Sequence, residues 1–348
     1  MSERHSELRI IRWTDRIQDI LAGKMRGPIR ANVDLTNLCS HACYFCEPVD
    51  FRKATIADKR HTLEAETARR AILDLADMDC RAIQFSGGGE PTLHPEFGSL
   101  LATANQCKMR TFVVTHGGYI AKWQEELYRY ADHIRVSLDS SCDREHRQMH
   151  GSKEGEFAKI VDGIGGLVAI RRANDSKAPE IGLAYIVSDC NSGPESFHRF
   201  LKLATDLGVD FVQFRPVSED TPASLTKHWT FIADRINGLR DNFPWLDIRV
   251  LGQRWQDVFL QREFDKCYSA LTLAVISANG DVAACCDRRD VVFGNINEKP
   301  FRDIWLSAHH REVAGRIVPK LCQRCVQCGT NRGIQNYVVE NQAVPELL

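Results

Sequence analysis

Strand-like and helix-like segments alternate along most of this 348-residue chain, and that alternation constrains its fold more than any other feature. Runs rich in apolar residues predict strands at 30–35, 81–86, 111–115, 133–138, 181–187 and 210–215. Helical patterns lie between them, at 63–78, 96–106, 121–131, 156–174 and 193–207. Such alternation produces βα units and a parallel sheet, with chemistry at the carboxyl ends of the strands. Six units predict an α/β fold of the partial (β/α)6 barrel type rather than a closed barrel.

The remaining segments predict a second, smaller domain. The expected parts are an N-terminal helix in 1–27, the barrel in 28–220, a connector in 221–263, a cysteine-rich domain in 264–330 and a tail in 331–348. Within the cysteine-rich part, apolar runs at 272–277 and 282–286 flank Asn279-Gly280. That dipeptide predicts a β-hairpin with a type I′ turn, in which both central residues need positive φ. A helix is expected at 301–316.

Composition and charge exclude several classes of protein. Apolar residues make up 43% of the chain, charged residues 26%, and the net charge is −1. This is an ordinary globular composition without the basic surplus that favours nucleic acid, so we expect no nucleic-acid partner. No apolar run approaches the ~18 residues of a membrane span, and the N-terminus lacks the apolar core of a signal peptide. We therefore expect a cytoplasmic protein without a membrane partner.

Nine of the thirteen cysteines fall into three tight groups, namely 39/43/46, 267/285/286 and 322/325/328. In a reducing compartment grouped cysteines indicate metal binding rather than disulfides. The first group, Cys39, Cys43 and Cys46, directly follows the first predicted strand. A [4Fe–4S] cluster usually takes four cysteines, so three would leave one iron open for a ligand. Zinc or buried thiols are the alternatives, and the odd number of cysteines disfavours zinc. His41 is interpreted as a loop residue.

The CxxxCxxC spacing, with Phe45 before the last cysteine, resembles the motif of the radical S-adenosylmethionine (SAM) superfamily. The resemblance implies a [4Fe–4S] cluster bound to three cysteines and to SAM. In that family the reduced cluster cleaves SAM, and the resulting 5′-deoxyadenosyl radical abstracts a hydrogen atom from the substrate. It also implies an enzyme of the oxidoreductase or lyase/isomerase type, served by a reductant such as flavodoxin or ferredoxin.

Three later segments resemble the family's SAM-binding elements. They are Gly87-Gly88-Gly89-Glu90-Pro91 after the second strand, Thr115-His116-Gly117 after the third and Val136-Ser137-Leu138-Asp139 after the fourth. The resemblance places Phe45, Gly88, Gly89, Glu90, Thr115 and Ser137 at SAM, and Asp139 at SAM or substrate. The alternatives are a simple turn at the glycines and capping of the next helix by Ser137 or Asp139. Relatives often carry asparagine at the position of His116, which makes it a catalytic candidate or a structural histidine.

Gln213 and Arg215 alternate with apolar residues on the sixth strand, so both side chains share one face. If that face lines the barrel cavity, Arg215 can grip a carboxylate or polar substrate, and a solvated edge is the alternative. The catalytic candidates are therefore Asp139, His116 and Arg215. Tyr185 and Cys142 are further candidates for a general base or hydrogen donor.

The spacing of Cys267, Gly280 and Cys285 resembles the opening of a SPASM/twitch auxiliary domain. The resemblance implies one auxiliary [4Fe–4S] cluster, ligated by Cys267, Cys285 and two of Cys322, Cys325 and Cys328, with the first two of these three favoured. Cys286 is expected to point away, because successive strand residues face opposite sides. A structural zinc on four of these thiols is the alternative.

An auxiliary cluster that accepts an electron favours a dehydrogenation, as in the aminocyclitol dehydrogenase that the pattern resembles. A redox-neutral decarboxylation or epimerisation, or a structural role for the cluster, stays open. Only 38 residues precede Cys39, fewer than the ~80 of a peptide-recognition domain. We therefore expect a small polar substrate of natural-product biosynthesis: a sugar, aminocyclitol or nucleoside. The alternatives are a maturase that modifies a peptide or protein, and a non-catalytic iron–sulfur or zinc scaffold.

Overall fold

The protein is built on one ten-stranded sheet. The computed structural model describes residues 12–46, 61–216, 222–251, 264–322 and 325–340. The strands are β1 (Arg30–Asp34), β2 (Ala82–Ser86), β3 (Arg110–Thr115), β4 (His133–Ser137), β5 (Glu180–Val187), β6 (Phe211–Pro216), β7 (Asp247–Val250), β8 (Leu273–Ile276), β9 (Asp281–Cys285) and β10 (Arg288–Asn295). Their order in the sheet is β10-β9-β8-β1-β2-β3-β4-β5-β6-β7, and β1 to β7 run parallel.

Helices follow the strands and cover one face of the sheet. They are α1 (Thr14–Leu21), α2 (Ala65–Asp77), α3 (Phe97–Gln106), α4 (Gln124–Tyr130), α5 (Asp143–His150), α6 (Glu156–Ala173), α7 (Pro194–Leu207), α8 (Pro222–Asn237), α9 (Phe301–Trp305), α10 (Ala308–Gly315) and α11 (Cys328–Ile334). No helix within these described ranges is long and apolar enough to cross a membrane.

Alternation along each strand divides the sheet into two faces. On β2, Ile83 and Phe85 are fully buried in the core, while Gln84 and Ser86 are half-buried on the opposite face. The same period on β6 sends Val212 and Phe214 to the core. The α/β partial barrel and its six βα units are thus confirmed.

Two elements were not predicted. Strand β7 lies in the segment expected to be a connector, and it pairs with β6 from Phe211↔Asp247 to Phe214↔Val250. Its four residues bury only Ile248, so the sequence offers little alternation to recognise. Helix α5 was missed because most of its residues are charged or histidine. It nevertheless buries Glu145, His146, Met149 and His150.

The cysteine-rich segment continues the barrel sheet. Strand β8 pairs with β1 in parallel, from Arg30↔Leu273 to Val33↔Ile276, and β9 pairs with β8 antiparallel. The hairpin is confirmed, but the type I′ turn is wrong. Gly280 has φ +91°, whereas Asn279 has no positive φ, and Gly280 N donates to Ser277 O at 2.8 Å. Four residues, 277–280, separate the strands, and such longer loops are built around other turns.

The helical segment after the hairpin differs from the expectation in one respect. The expected helix at 301–316 is two helices, because Ser307 starts α10 and its side chain accepts from His310 N. Near the N-terminus, α1 begins at Thr14, and the part of the expected helix before residue 12 lies outside the described residues. Ile17 of α1 packs with Tyr268, Ile334 and Val338, so residues expected to be a tail belong to a small second core. Residues 341–348 lie outside the described part.

A charged group closes the amino-terminal end of the barrel. Glu180 lies 3.1 Å from His133 Nδ1 and 2.7 Å from Arg249 Nη2, and Arg249 stacks on Phe211. The hydrogen bond from His133, followed by that from Arg249, lowers the pKa of Glu180 from 4.5 to about 2. A carboxylate whose pKa is lower in the folded than in the unfolded protein stabilises the fold fully at a pH above the unfolded-state pKa. This stabilisation is lost as the pH falls through the folded-state pKa.

We therefore expect Glu180→Gln to lower the thermal midpoint of the apo-protein at neutral pH by ~3 °C. The gap from the wild type should shrink as pH falls from about 4.5 toward about 2, because the carboxylate then takes up a proton, first in the unfolded state and then in the folded state. Thermal melts across this range measure both. The exposed Glu195, on α7, provides the control, and Glu195→Gln should leave the midpoint unchanged. A gap that stays constant with pH would contradict the assignment.

Candidate active site

The loop that follows β1 carries the first cysteine group. Cys39, Cys43 and Cys46 are each half-buried. Two hydrogen bonds fix the loop's path: Leu38 N donates to Thr36 Oγ1 at 3.1 Å, and Ala42 N donates to the His150 carbonyl at 2.8 Å. Three thiols are therefore presented on one anchored loop at the carboxyl end of the sheet.

The glycine loop after β2 lies directly against this cysteine loop. Glu90 N donates to Leu38 O at 2.7 Å. A Cβ on Gly89 would stand 2.2 Å from Leu38 O, so no side chain fits there. The sequence needs glycine at this position because the two loops touch through their backbones.

Glu90 links the loops after β2 and β3. Its buried carboxylate accepts hydrogen bonds from Thr92 N at 3.1 Å, Thr115 Oγ1 at 2.6 Å and His116 N at 2.8 Å. The Thr92 hydroxyl is a fourth partner. A carboxylate offers about four acceptor sites, so Glu90 and Thr115 use most of their hydrogen-bonding capacity with each other and with these loops. Contact of their side chains with SAM stays a prediction.

His116 contacts the cysteine loop through Ser40 and His41. Gly118 N donates to His116 Nδ1 at 3.0 Å, so in the neutral ring the proton lies on Nε2, which is 3.1 Å from Ser40 Oγ. The ring also stacks on His41 at 3.9 Å between centroids. These contacts occupy both nitrogens with the protein's own atoms, and a catalytic role for His116 stays a prediction.

His41, His146 and His150 form a buried histidine group beside the loop, with possible ligand atoms within 4.8 Å of one another. His150 Nδ1 lies 3.1 Å from Cys43 Sγ. His41 was interpreted as a loop residue, and the structure places it inside this group. The spacing of His146 and His150, one helical turn apart on α5, is the sequence signal for the pair, but it is recognisable only once α5 is known.

Asp139 lies fully buried just after β4, with φ +54°. Its Oδ1 accepts from Ile186 N at 2.6 Å, and Oδ2 lies 3.4 Å from His150 Nε2. Helix α5 begins after Cys142 without a side-chain capping bond, so Asp139 does not cap it. It joins the ends of β4 and β5 and faces the histidine group.

The face of the sheet opposite the core, here called the cavity face, carries Ser137, Gln213 and Arg215. Strand register aligns Ser137 with Ala184 and Ala184 with Gln213, so the two polar side chains lie on one face two strands apart. Arg215 follows on the same face, and its buried Nε has no hydrogen-bond partner among the described residues. Tyr185, by contrast, lies in the core and donates to Asn191 O at 2.9 Å. Burial raises its pKa, and its hydroxyl does not reach the cavity face.

One cavity, here called the auxiliary cavity, brings together cysteines that are distant in the sequence. Its lining includes Cys267, Cys285, Cys322 and Cys325. Burial raises the pKa of the Cys267 and Cys285 thiols. A hydrogen bond with Cys328, buried at the start of α11, raises the pKa of Cys325. Four thiols that line one cavity form a donor set suited to a cluster or a zinc ion. Cys286 is absent from the lining, as the strand alternation predicted.

Two family models match the chain. The model of the radical SAM superfamily matches residues 33–170, and the SPASM iron–sulfur cluster-binding domain model matches residues 267–329. The radical SAM match contains the cysteine and glycine loops, and the SPASM match contains the four thiols of the auxiliary cavity.

Curated relatives match at low identity. GTP 3′,8-cyclase of Actinobacillus pleuropneumoniae serotype 3 is 25% identical over 154 residues, which is 43% of this chain and 44% of the relative. An S-adenosylmethionine-dependent nucleotide dehydratase of Flammeovirga pacifica is 35% identical over 111 residues, 31% of this chain and 38% of the relative. Fe-coproporphyrin III synthase of Methanosarcina barkeri is 24% identical across 85% of this chain and 79% of the relative. The chain thus spans less than half of the first two relatives.

Solved structures share the fold. Streptococcus suis SuiB, bound to its precursor peptide SuiA, has a TM-score of 0.66 at 16% identity, covering 90% of this chain and 72% of SuiB. The protein anSMEcpe with bound AdoMet has a TM-score of 0.58 at 14% identity, covering 92% of this chain and 96% of that protein. At these identities the likeness shows the architecture alone.

Proposed function

Because the chain belongs to the radical SAM superfamily and carries a C-terminal SPASM-type iron–sulfur domain, we propose that Cys39, Cys43 and Cys46 hold the SAM-cleaving [4Fe–4S] cluster. One observation carries this assignment: three cysteines lie on a single loop that contacts the glycine loop, where Glu90 N donates to Leu38 O at 2.7 Å. Thiolates are the ligands of such clusters, and three of them leave one iron for SAM. When bound, the cluster supplies the electron that splits SAM.

The chain's own residues then place SAM beside the loop. The backbone of Gly88 and Gly89 can approach SAM closely, because neither residue carries a side chain. Glu90 fixes the glycine loop to the loop after β3 through Thr115 and His116. Ser137, on the cavity face of β4, would contact the SAM carboxylate or ribose. Phe45 packs beside Cys43 with Met149 and Ile186.

An auxiliary [4Fe–4S] cluster is proposed at Cys267, Cys285, Cys322 and Cys325, because these four line one cavity. Cys328 is the substitute ligand, since it lies beside Cys325, where Cys328 N donates to Cys325 O at 3.1 Å. Removal of one hydrogen atom takes one electron and one proton from the substrate. A net dehydrogenation must also remove a second electron, which a cluster held at the auxiliary site would accept, and a second proton, which a general base would take.

We propose a small polar substrate, namely a sugar, aminocyclitol or nucleoside. Gln213 and Arg215 on the cavity face support this, because Arg215 makes no ion pair within the described part of the chain. The nucleotide named in two relatives favours the nucleoside among these classes. The protein would also need an external reductant such as flavodoxin or ferredoxin.

The function is tested by incubating anaerobically reconstituted protein with SAM, dithionite and deuterated candidate substrates. We expect 5′-deoxyadenosine that acquires deuterium from a nucleoside or sugar. Deuterium transfer from a peptide instead would favour the maturase. Absence of 5′-deoxyadenosine from protein with intact clusters would leave the non-catalytic scaffold.

Arg215→Leu should raise the KM for the substrate, because a lost charge-assisted hydrogen bond costs about 1.5–3 kcal/mol. That corresponds to about 10–100-fold. Steady-state kinetics with the substrate identified above provide the measurement, and Arg215→Lys should recover part of the loss. The control is Arg129→Leu, which removes an exposed arginine on α4 paired with Glu125. An Arg215→Leu enzyme with unchanged KM and kcat would remove Arg215 from the substrate site.

A further inference from the structure

Two consecutive arginines at the start of β10 reach opposite sides of the sheet. Arg288 lines the auxiliary cavity, with Nη1 3.7 Å from Cys322 Sγ. Arg289 reaches the other side, where its Nη1 lies 2.6 Å from Asp34 Oδ2 at the carboxyl end of β1. Because neighbouring strand residues face opposite ways, the segment that carries the auxiliary thiols also extends one cation into the barrel.

This ion pair is buried. The Arg289 side chain is 11% exposed and that of Asp34 is 3% exposed. Arg289 Nη1 also donates to Ser277 Oγ at 2.8 Å, which ties it to the end of β8. Burial raises the pKa of Asp34, and Arg289 is the main influence that opposes this rise. Removing one member of a buried pair leaves the other charge without compensation, which is strongly unfavourable.

The opposite side of Asp34 touches the glycine loop. The backbone of Gly88 lies against the Asp34 carboxylate, since a Cβ there would stand 3.9 Å from Asp34 Oδ2. Gly87 has φ +147°, and a Cβ there would stand 2.9 Å from Asp34 Cγ. Gly89, at the end of the glycine run, contacts Leu38 of the cysteine loop. A continuous set of contacts therefore runs from β10 through Asp34 and the glycine loop to the proposed cluster site.

We propose that Arg289 is a positioning residue through which the auxiliary segment sets the affinity for SAM, by fixing Asp34 and thereby the backbone of Gly88. The inference rests on the proposed function, since it takes the glycine loop as the SAM site. Arg289 itself need not touch SAM. Because coupling between sites is reciprocal, SAM binding and order in the auxiliary segment should favour each other.

The test is a mutant cycle on protein with both clusters, with the Kd for SAM measured by anaerobic equilibrium dialysis. Arg289→Met and Asp34→Asn should each weaken binding about tenfold, or ~1.4 kcal/mol. The double variant should also lose about tenfold rather than a hundredfold, because the two residues act as one unit. Iron content should match the wild type in all three.

Arg171→Met provides the control, because Arg171 is a buried arginine paired with the more exposed Asp210 at the amino end of the barrel. Arg171→Met should lower the thermal midpoint without changing the Kd for SAM. If the role of Arg289 were purely structural, Arg289→Met would likewise lower the thermal midpoint and leave the Kd unchanged. If Arg289→Met does not fold, Arg289→Lys keeps the charge and should show a smaller loss. Wild-type affinity in the folded Arg289 variant, or fully additive losses, would overturn the proposal. Failure of the wild type to bind SAM would instead refute the proposed function.

Discussion

Cys43→Ala is expected to abolish SAM cleavage. Cys43 is the middle thiol of the loop after β1, and without it two thiols remain for a cluster that needs three. Substitution of residues that only orient the ligands of a metal site lowers metal affinity or activity about 10–100-fold, so loss of a ligand itself should have a larger effect. The measurement is 5′-deoxyadenosine formed per chain after anaerobic reconstitution with dithionite and SAM.

The control for this variant is Cys107→Ala. Cys107 ends α3 and packs against the core, and helices antiparallel to the strands end near the opposite edge of the sheet. It should retain full iron content and SAM cleavage. Equal activity in the Cys43 and Cys107 variants would show that the loop holds no catalytic cluster.

Cys285→Ala is expected to separate SAM cleavage from substrate conversion. Its thiol lines the auxiliary cavity, so iron should fall from about eight to about four per chain. SAM should still be split at the first loop. Product should fall more than about a hundredfold if the auxiliary cluster accepts the second electron of a dehydrogenation.

Cys286→Ala is the matched control, since this adjacent cysteine does not line the cavity. Iron analysis and product assays on the two variants decide the assignment. Full iron in Cys285→Ala would contradict a ligand role for that thiol. Lost iron with undiminished product would mean that the auxiliary cluster is structural or that the reaction is redox-neutral.

The βα core was predictable because each of its strands carries enough alternating or apolar residues to be recognised alone. Strand β5, from Glu180 to Val187, buries seven of its eight residues, and its run of apolar letters is visible in the sequence. Strand β7 buries one, so only pairing with β6 reveals it.

The three-cysteine loop was predictable for a different reason, since all its thiols fall within eight residues of sequence. The surroundings of the loop were not, because they depend on contacts between distant segments. Contact of Glu90 with SAM stays a prediction, and the hydrogen bonds of its carboxylate to Thr115 and His116 from another loop were not foreseen. The histidine group needs α5, and the Arg289–Asp34 pair joins residues from opposite ends of the chain. No local pattern encodes those distances.

The most direct test uses the Cys285→Ala variant, in which the proposed SAM site holds the remaining cluster. Its reduced form should give an electron paramagnetic resonance spectrum that changes when SAM is added, followed by release of 5′-deoxyadenosine. A spectrum that SAM leaves unaltered, or a loop with all three thiols intact that binds zinc instead of iron and sulfide, would contradict the assignment of Cys39, Cys43 and Cys46.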